Sequence, residues 1–174
     1  MRKIHSLLLI VLIVLSGCAT QGVSPPDSSS LLAESTRFSG YMNSRNYIQV
    51  AVMTHPTIIE GVGGISVMAQ AVERMLSPRT LGGILTSFEF KSPDLIVSIN
   101  DALVAIVPYE SALYRNGKLY ILESFYIAWS PDKGESWFFA DGVGAYRPGA
   151  LEYLFPGYAG ELTIPEKKQP YEST

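Results

Sequence analysis

Residues 102–130 read ALVAIVPYESALYRNGKLYILESFYIAWS, and this stretch decides the fold. At its centre Asn116-Gly117 is the dipeptide of a tight type I′ hairpin, a turn whose two central residues both need positive φ. The flanking segments, 102–114 and 118–130, are rich in β-branched and aromatic residues and predict two long antiparallel strands. On the second strand Leu119, Ile121, Glu123, Phe125, Ile127 and Trp129 share one face, and Tyr120, Leu122, Ser124, Tyr126 and Ala128 share the other. Both faces are largely apolar, so neither is expected to lie against water. One is expected to pack on helices and the other on a second subunit, giving a homodimer with Tyr114, Tyr120 or Tyr126 near the contact.

Segments 85–91, 94–100 and 135–143 have the same strand composition and are set off by turn signals. Ahead of them the period changes. Phe38, Tyr41, Met42, Arg45, Ile48, Gln49 and Val52 recur at mostly helical spacing, predicting one helix over 31–53 or two short ones loosened at Ser39-Gly40. His55-Pro56 ends that segment, because a residue before proline is pushed out of the helical region. Gly61, Gly63 and Gly64 predict a turn, and Ile65, Met68, Ala69, Val72, Met75 and Leu76 then mark an amphipathic helix stopped by Pro78. Helices first and an antiparallel meander afterwards is the α+β arrangement, and the order excludes a doubly wound sheet. A short helix within 148–155 closes the domain at 31–155, leaving 156–174 as an irregular tail.

The amino-terminal end carries an address. Arg2 and Lys3, the nine-residue apolar run at 7–15 and the small residues before Cys18 are the parts of a secretory signal. The run is too short to span a bilayer, which takes about 20 residues. Leu15-Ser16-Gly17-Cys18 resembles the lipobox of bacterial lipoproteins. In that family the cysteine thiol receives a diacylglyceryl group, the signal is cut just before it and the new amino terminus is acylated. The resemblance implies that Cys18 opens the mature chain and that the lipid bilayer is its partner; more than one acyl chain makes such anchoring stable. Ala19 is not the aspartate that retains many such lipoproteins in the inner membrane, which implies the cell envelope at the periplasmic face of the outer membrane. An ordinary signal peptide or a single-pass anchor is the alternative. Residues 18–30, rich in Ser, Pro and Gly, read as a tether.

Composition narrows the chemistry. Without residues 1–17 the chain has 11 basic against 16 acidic groups, a formal charge of −5, and its one dense basic pair is Lys167-Lys168 in the tail. No nucleic acid partner is expected, since neutralising phosphates needs a basic patch. Cys18 is the only cysteine, so no intrachain disulfide forms and no thiolate metal site is expected. His55 is the only histidine after the signal; it could act as acid or base, or merely satisfy loop backbone between a helix and a proline. A metal site is not expected from one histidine, and no cofactor is implied.

Two carboxylates are sharper candidates. Glu123 interrupts an apolar strand face, and Asp141 shares a face with Trp137 and Phe139. An acid held among such groups has a raised pKa and could take a proton from carbon beside a carbonyl. The plainer alternative is that each accepts a hydrogen bond from a tyrosine or Arg147, or points into a subunit contact. Residues 130–137 match the Asp-box, S-x-D-x-G-x-[ST]-W, best known from sialidase propellers. A propeller needs several such repeats and this chain has one, so Asp132, Gly134 and Trp137 are expected to be a structural turn.

His55-Pro56, Gly63-Gly64 before the second main helix, and Trp137-Phe138-Phe139-Ala140-Asp141-Gly142 on the last strand complete a pattern that resembles the nuclear transport factor two-like superfamily, the cystatin-like cones. The resemblance covers roughly 31–143. It implies N-terminal helices closing over the concave face of a curved antiparallel sheet around an apolar pocket. Members include ketosteroid isomerase, polyketide cyclases, dehydratases and non-catalytic binding domains, and no catalytic residue carries over by position. The leading expectation is a non-catalytic binder of an apolar small molecule or an envelope protein. The alternative is an isomerase, cyclase or dehydratase-like enzyme using Glu123, Asp141 or His55, with Tyr41 or Tyr47 donating to an oxyanion.

Overall fold

A computed structural model describes residues 28–173; Cys18, the signal at 1–17 and the tether up to residue 27 lie outside them. Within that range come α1 (Ser29–Asn43), α2 (Tyr47–Val52), α3 (Pro56–Val62), α4 (Ile65–Met75) and α5 (Pro78–Leu81). Strands β1 (Ile84–Phe90), β2 (Ile96–Ile99), β3 (Ala102–Arg115), β4 (Lys118–Ser130) and β5 (Phe138–Asp141) follow, then a 3-10 turn (Gly142–Tyr146), α6 (Ala150–Leu154) and β6 (Tyr171–Glu172). The chain is α+β: N-terminal helices pack on a strongly curled antiparallel sheet that makes a half-barrel, a cone-like fold.

The first helical break falls later than Ser39-Gly40. Gly40 stays inside α1, and the chain turns at Ser44, Arg45 and Asn46. Arg45 takes φ 58° and the Asn46 side chain caps α2 by accepting from the Gln49 amide at 3.4 Å. The helical segment ends before His55-Pro56 as expected, and Gly63 and Gly64 make the expected turn ahead of α4, but a further helix that takes in Gly61 stands between them, because Pro56 also begins structure. Proline lacks only an N–H that a first helical residue leaves unpaired anyway. Pro56 therefore opens α3, with His55 as N-cap, and Gly63 at φ 97° closes it.

Leu103 pairs with Ser130 and Arg115 with Lys118 along the central hairpin, and Asn116 and Gly117 take φ of 51° and 79° as a type I′ turn requires. The far edge of β3 is shared by two strands, β1 along 109–114 and β2 along 102–105. Pro108 sits at the handover, where its missing N–H costs no ladder bond while its carbonyl accepts from the Lys91 amide at 2.7 Å. The far edge of β4 is shared likewise, by β5 opposite 126–129 and by β6 opposite 120–121. Beyond β1, the Asn43 side chain on α1 imitates a strand: its amide donates to the Phe88 carbonyl and its oxygen accepts from the Phe88 N–H, both at 2.8 Å. Ser39 accepts from the Phe90 amide at 3.2 Å. Beyond β5, the main chain of Met53 and His55 exchanges hydrogen bonds with Phe139.

Two apolar layers result. The inner one centres on Phe38 of α1, whose ring lies 5.0–6.1 Å from those of Phe88, Phe90, Tyr126 and Phe139. The outer one packs Val104, Ile106, Phe125 and Ile127 of the opposite sheet face against Leu151, Phe155 and Leu162. The chain thus covers much of its own outer face with α6 and the residues after it. Tyr120 and Tyr126, expected near a subunit contact there, point to the inner face instead; of the three tyrosines only Tyr114 lies on the outer side. The tail is likewise not wholly irregular, since Leu162 is buried and β6 joins the sheet.

Candidate functional site

The concave face and the helices do not close on each other completely. Between them lies a cavity of about 500 Å³, open to solvent. Met68, Val72 and Met75 of α4 and its C-cap Leu76 roof it, and Phe88, Tyr109, Leu113, Leu122, Tyr126 and Phe139 of the sheet floor it. The alternation of the strands produces this floor: with Arg115 fixed opposite Lys118, odd residues of β3 and even residues of β4 turn inward together.

Asp141 and Arg147 are the charged side chains on the wall. Asp141 is directly opposite Tyr126 in the sheet and is the N-cap of the 3-10 turn, its Oδ1 accepting from the Val143 amide at 2.9 Å. The next residue has room only for glycine, since a Cβ on Gly142 would overlap the Phe125 ring and sit 2.6 Å from the Phe125 carbonyl oxygen. Asp141 is exposed where it stands on the cavity wall, and its neighbours there partly desolvate the carboxylate. That desolvation raises its pKa above the usual aspartate value, against the smaller opposing pull of the Val143 amide. Two tyrosine hydroxyls on the same cavity wall respond as well. Burial and the Asp141 charge push Tyr109 up to about 12 and Tyr126 well above the ordinary tyrosine value. Both phenols are therefore neutral hydrogen-bonding groups at any ordinary pH.

The structure does not bring His55 or Glu123 to this cavity. His55 is 2% exposed on the other side of the sheet, its ring 4.7 Å from that of Trp129 and edge-on to Phe155 at 5.5 Å. Nδ1 accepts from the Thr57 amide at 3.3 Å as a helix cap, and Nε2 is buried without a partner. Desolvation lowers its pKa to about 4. Glu123 also lies on the outer face, opposite Glu110, where Lys168 and Tyr171 of the tail bond to it. The Lys168 hydrogen bond lowers its pKa, the wrong direction for a proton-transfer carboxyl. Tyr41 packs at the edge of the inner core, and Tyr47 lines a separate, smaller surface pocket. The tyrosines beside Asp141 are Tyr109 and Tyr126, which hairpin register could have placed.

Asp132, Gly134 and Trp137 build a turn. Asp132 Oδ1 accepts from the Ser136 amide and the Ser130 hydroxyl, both at 2.8 Å, and the Ser136 bonds hold its pKa down at about 2. Gly134 takes φ 101° and donates to Ser130 Oγ. Trp137 is 3% exposed, and its Nε1 donates to Ser30 Oγ at 3.1 Å, tying this turn to the first turn of α1. Ser30 was expected in the tether; it belongs to the helix.

Among the described residues no three His, Cys, Asp or Glu side chains come together as a metal site requires, and no helix is long and apolar enough to cross a membrane. No protein family, curated protein or solved structure gives a match to this chain.

Proposed function

We propose that this chain is a lipid-anchored envelope lipoprotein whose cone binds an apolar small molecule. The observation that supports the reading is the cavity itself. Its volume of about 500 Å³ falls among those of small-molecule sites, about 300–1,000 Å³, and its apolar walls carry few convergent polar groups. The lipobox resemblance at Cys18 supplies the anchor. Two experiments test the two halves. A neutral apolar dye such as N-phenyl-1-naphthylamine is expected to bind the full chain and to be excluded by Leu122→Trp, which fills the floor; equal binding by both proteins sinks the ligand site. Cys18→Ser is expected to abolish acylation and membrane partitioning, and a native amino terminus without acyl mass sinks the anchor.

Asp141 favours a second reading. A carboxylate with raised pKa between neutral phenols is the arrangement an isomerase, cyclase or dehydratase would use, with Asp141 moving the proton and Tyr109 or Tyr126 donating to the oxyanion. Turnover of enolisable ketones that is lost in Asp141→Asn, with ligand affinity kept, is the result that would select it. A homodimer belongs to the proposal too. Ile84, Tyr114 and Leu119 form one exposed row across β1, β3 and β4 on the part of the outer face nearest the hairpin turn, and a second copy would pair there. Light scattering that shows only monomer at high micromolar concentration removes the dimer.

A further inference from the structure

The Asp141 carboxylate has no ion-pair partner among the described residues. One of its oxygens accepts from the Val143 amide, and Arg147, the single basic residue on the cavity wall, is not within pairing distance. An unpaired carboxylate on the wall of a largely apolar cavity is open to a ligand of opposite charge. The N-cap bond and the β4 pairing hold it at the cavity wall, open to what enters there.

The surroundings favour one charge type as the missing partner. The rings of Phe38, Phe88, Tyr109, Tyr126 and Phe139 gather around the same space, with neighbouring centroids 4.7–6.5 Å apart. Aromatic faces carry negative charge density and attract ammonium groups. The Tyr126 hydroxyl has no hydrogen-bond partner among the described residues and is free to accept one of the ammonium protons left over by the carboxylate. An anionic headgroup, by contrast, would be repelled by the carboxylate.

Resting on the reading of the cavity as a ligand site, we propose that it selects an amphiphile bearing one protonated amine, with Asp141 as counter-ion and the α4 roof against the apolar body. The probes are octylamine, 1-octanol and octanoate, which share a tail and differ in charge. They are titrated calorimetrically at pH 7.5 into the full chain in phosphatidylcholine nanodiscs, with protein-free discs subtracted. Octylamine is expected to bind about 10- to 100-fold more tightly than octanol, the gain a charge-assisted hydrogen bond supplies, and octanoate more weakly than octanol. Asp141→Asn, which keeps an N-cap acceptor, is expected to bring octylamine down to the octanol value while octanol binding stays intact; the intact octanol binding also reports a folded cavity. If the Asn protein loses octanol binding, Asp141→Ser, another capping residue, repeats the comparison. Equal affinities for octylamine and octanol, tightest binding by octanoate, or an amine preference that survives loss of the carboxylate overturns the amine proposal while leaving the cavity as an apolar site. Binding of none of the three overturns both.

Discussion

The two faces of one sheet have been treated oppositely. The inner face lies under the N-terminal helices and is left hollow; the outer face meets one short helix and a stretch of irregular chain and is filled. The amount of regular structure over a face does not decide how well it packs. Over the inner face α4 stands off, its Met75 half exposed at 51%, so side chains from both layers end in open space. Over the outer face Leu151, Phe155 and Leu162 arrive singly from a chain with no period to keep, and each drops into contact with Ile106, Phe125 or their neighbours. A filled layer confers stability, whereas a hollow one leaves room for a ligand.

Truncation breaks that comparison most directly. Phe155→Ala removes a side chain 2% exposed in the outer layer and is expected to cost about 3–5 kcal/mol, whereas Leu122→Ala, already facing the cavity, should cost about 1 kcal/mol. Urea denaturation of both variants reads the difference; equal losses would mean that the inner face is as tightly packed as the outer.

Protonation probes the outer layer without changing its shape. The folded His55 ring titrates at about 4 against 6.5 when unfolded, so between those values the unfolded chain binds more protons. Stability should therefore fall as pH drops through that window, by on the order of 3 kcal/mol from this group. His55→Asn keeps a cap acceptor and cannot be charged. Its unfolding free energy should decline less steeply than that of wild type from pH 6.5 to 4, and parallel slopes would show that the ring is wetter than its packing against Trp129 and Phe155 implies.

At Gly142 the two faces meet in one residue, since it lies against Phe125 of the outer layer and directly follows Asp141 of the cavity. Gly142→Ala is expected to cost about 1–3 kcal/mol through overpacking and to weaken octylamine binding by displacing the carboxylate. A stable variant with unchanged binding would show that the backbone there yields easily. The smallest effect belongs to the tail. Lys168→Ala removes the partner of Glu123 on the exposed outer surface and should leave the denaturation midpoint within error of wild type, because water competes fully for such pairs.

How much of this could be read in advance follows from periodicity. The hairpin, its faces and the α4 helix were legible because Asn116-Gly117 fixes register and apolar residues recur at two or at three to four. Asp141 was legible for the same reason, sharing inward-facing positions with Phe139. Glu123 misled because alternation shows that a charge stands on a face but not what crosses over it, and Lys168 comes from 45 residues away. His55 misled because its burial depends on Trp129 and Phe155, remote residues with no common spacing. The self-covered outer face was hidden altogether: Leu151, Phe155 and Leu162 are too few and too unevenly spaced to announce a layer, and two residues of β6 make no pattern.

The doubled edges of the sheet have a consequence for life among other proteins. A strand with a long open row of amides and carbonyls is a template on which unfolded or foreign chains can add themselves. Here each side of the long hairpin ends in two short strands rather than one long one, broken by the Pro108 handover on one side and by the gap between β5 and β6 on the other. The outermost backbone at Phe88 is answered by Asn43, at Phe90 by Ser39, and at Phe139 by the main chain of Met53 and His55. An approaching strand finds these hydrogen bonds already made. These contacts between the helical segment and the sheet edges thus guard a β-rich protein with two apolar faces against growing into a fibre.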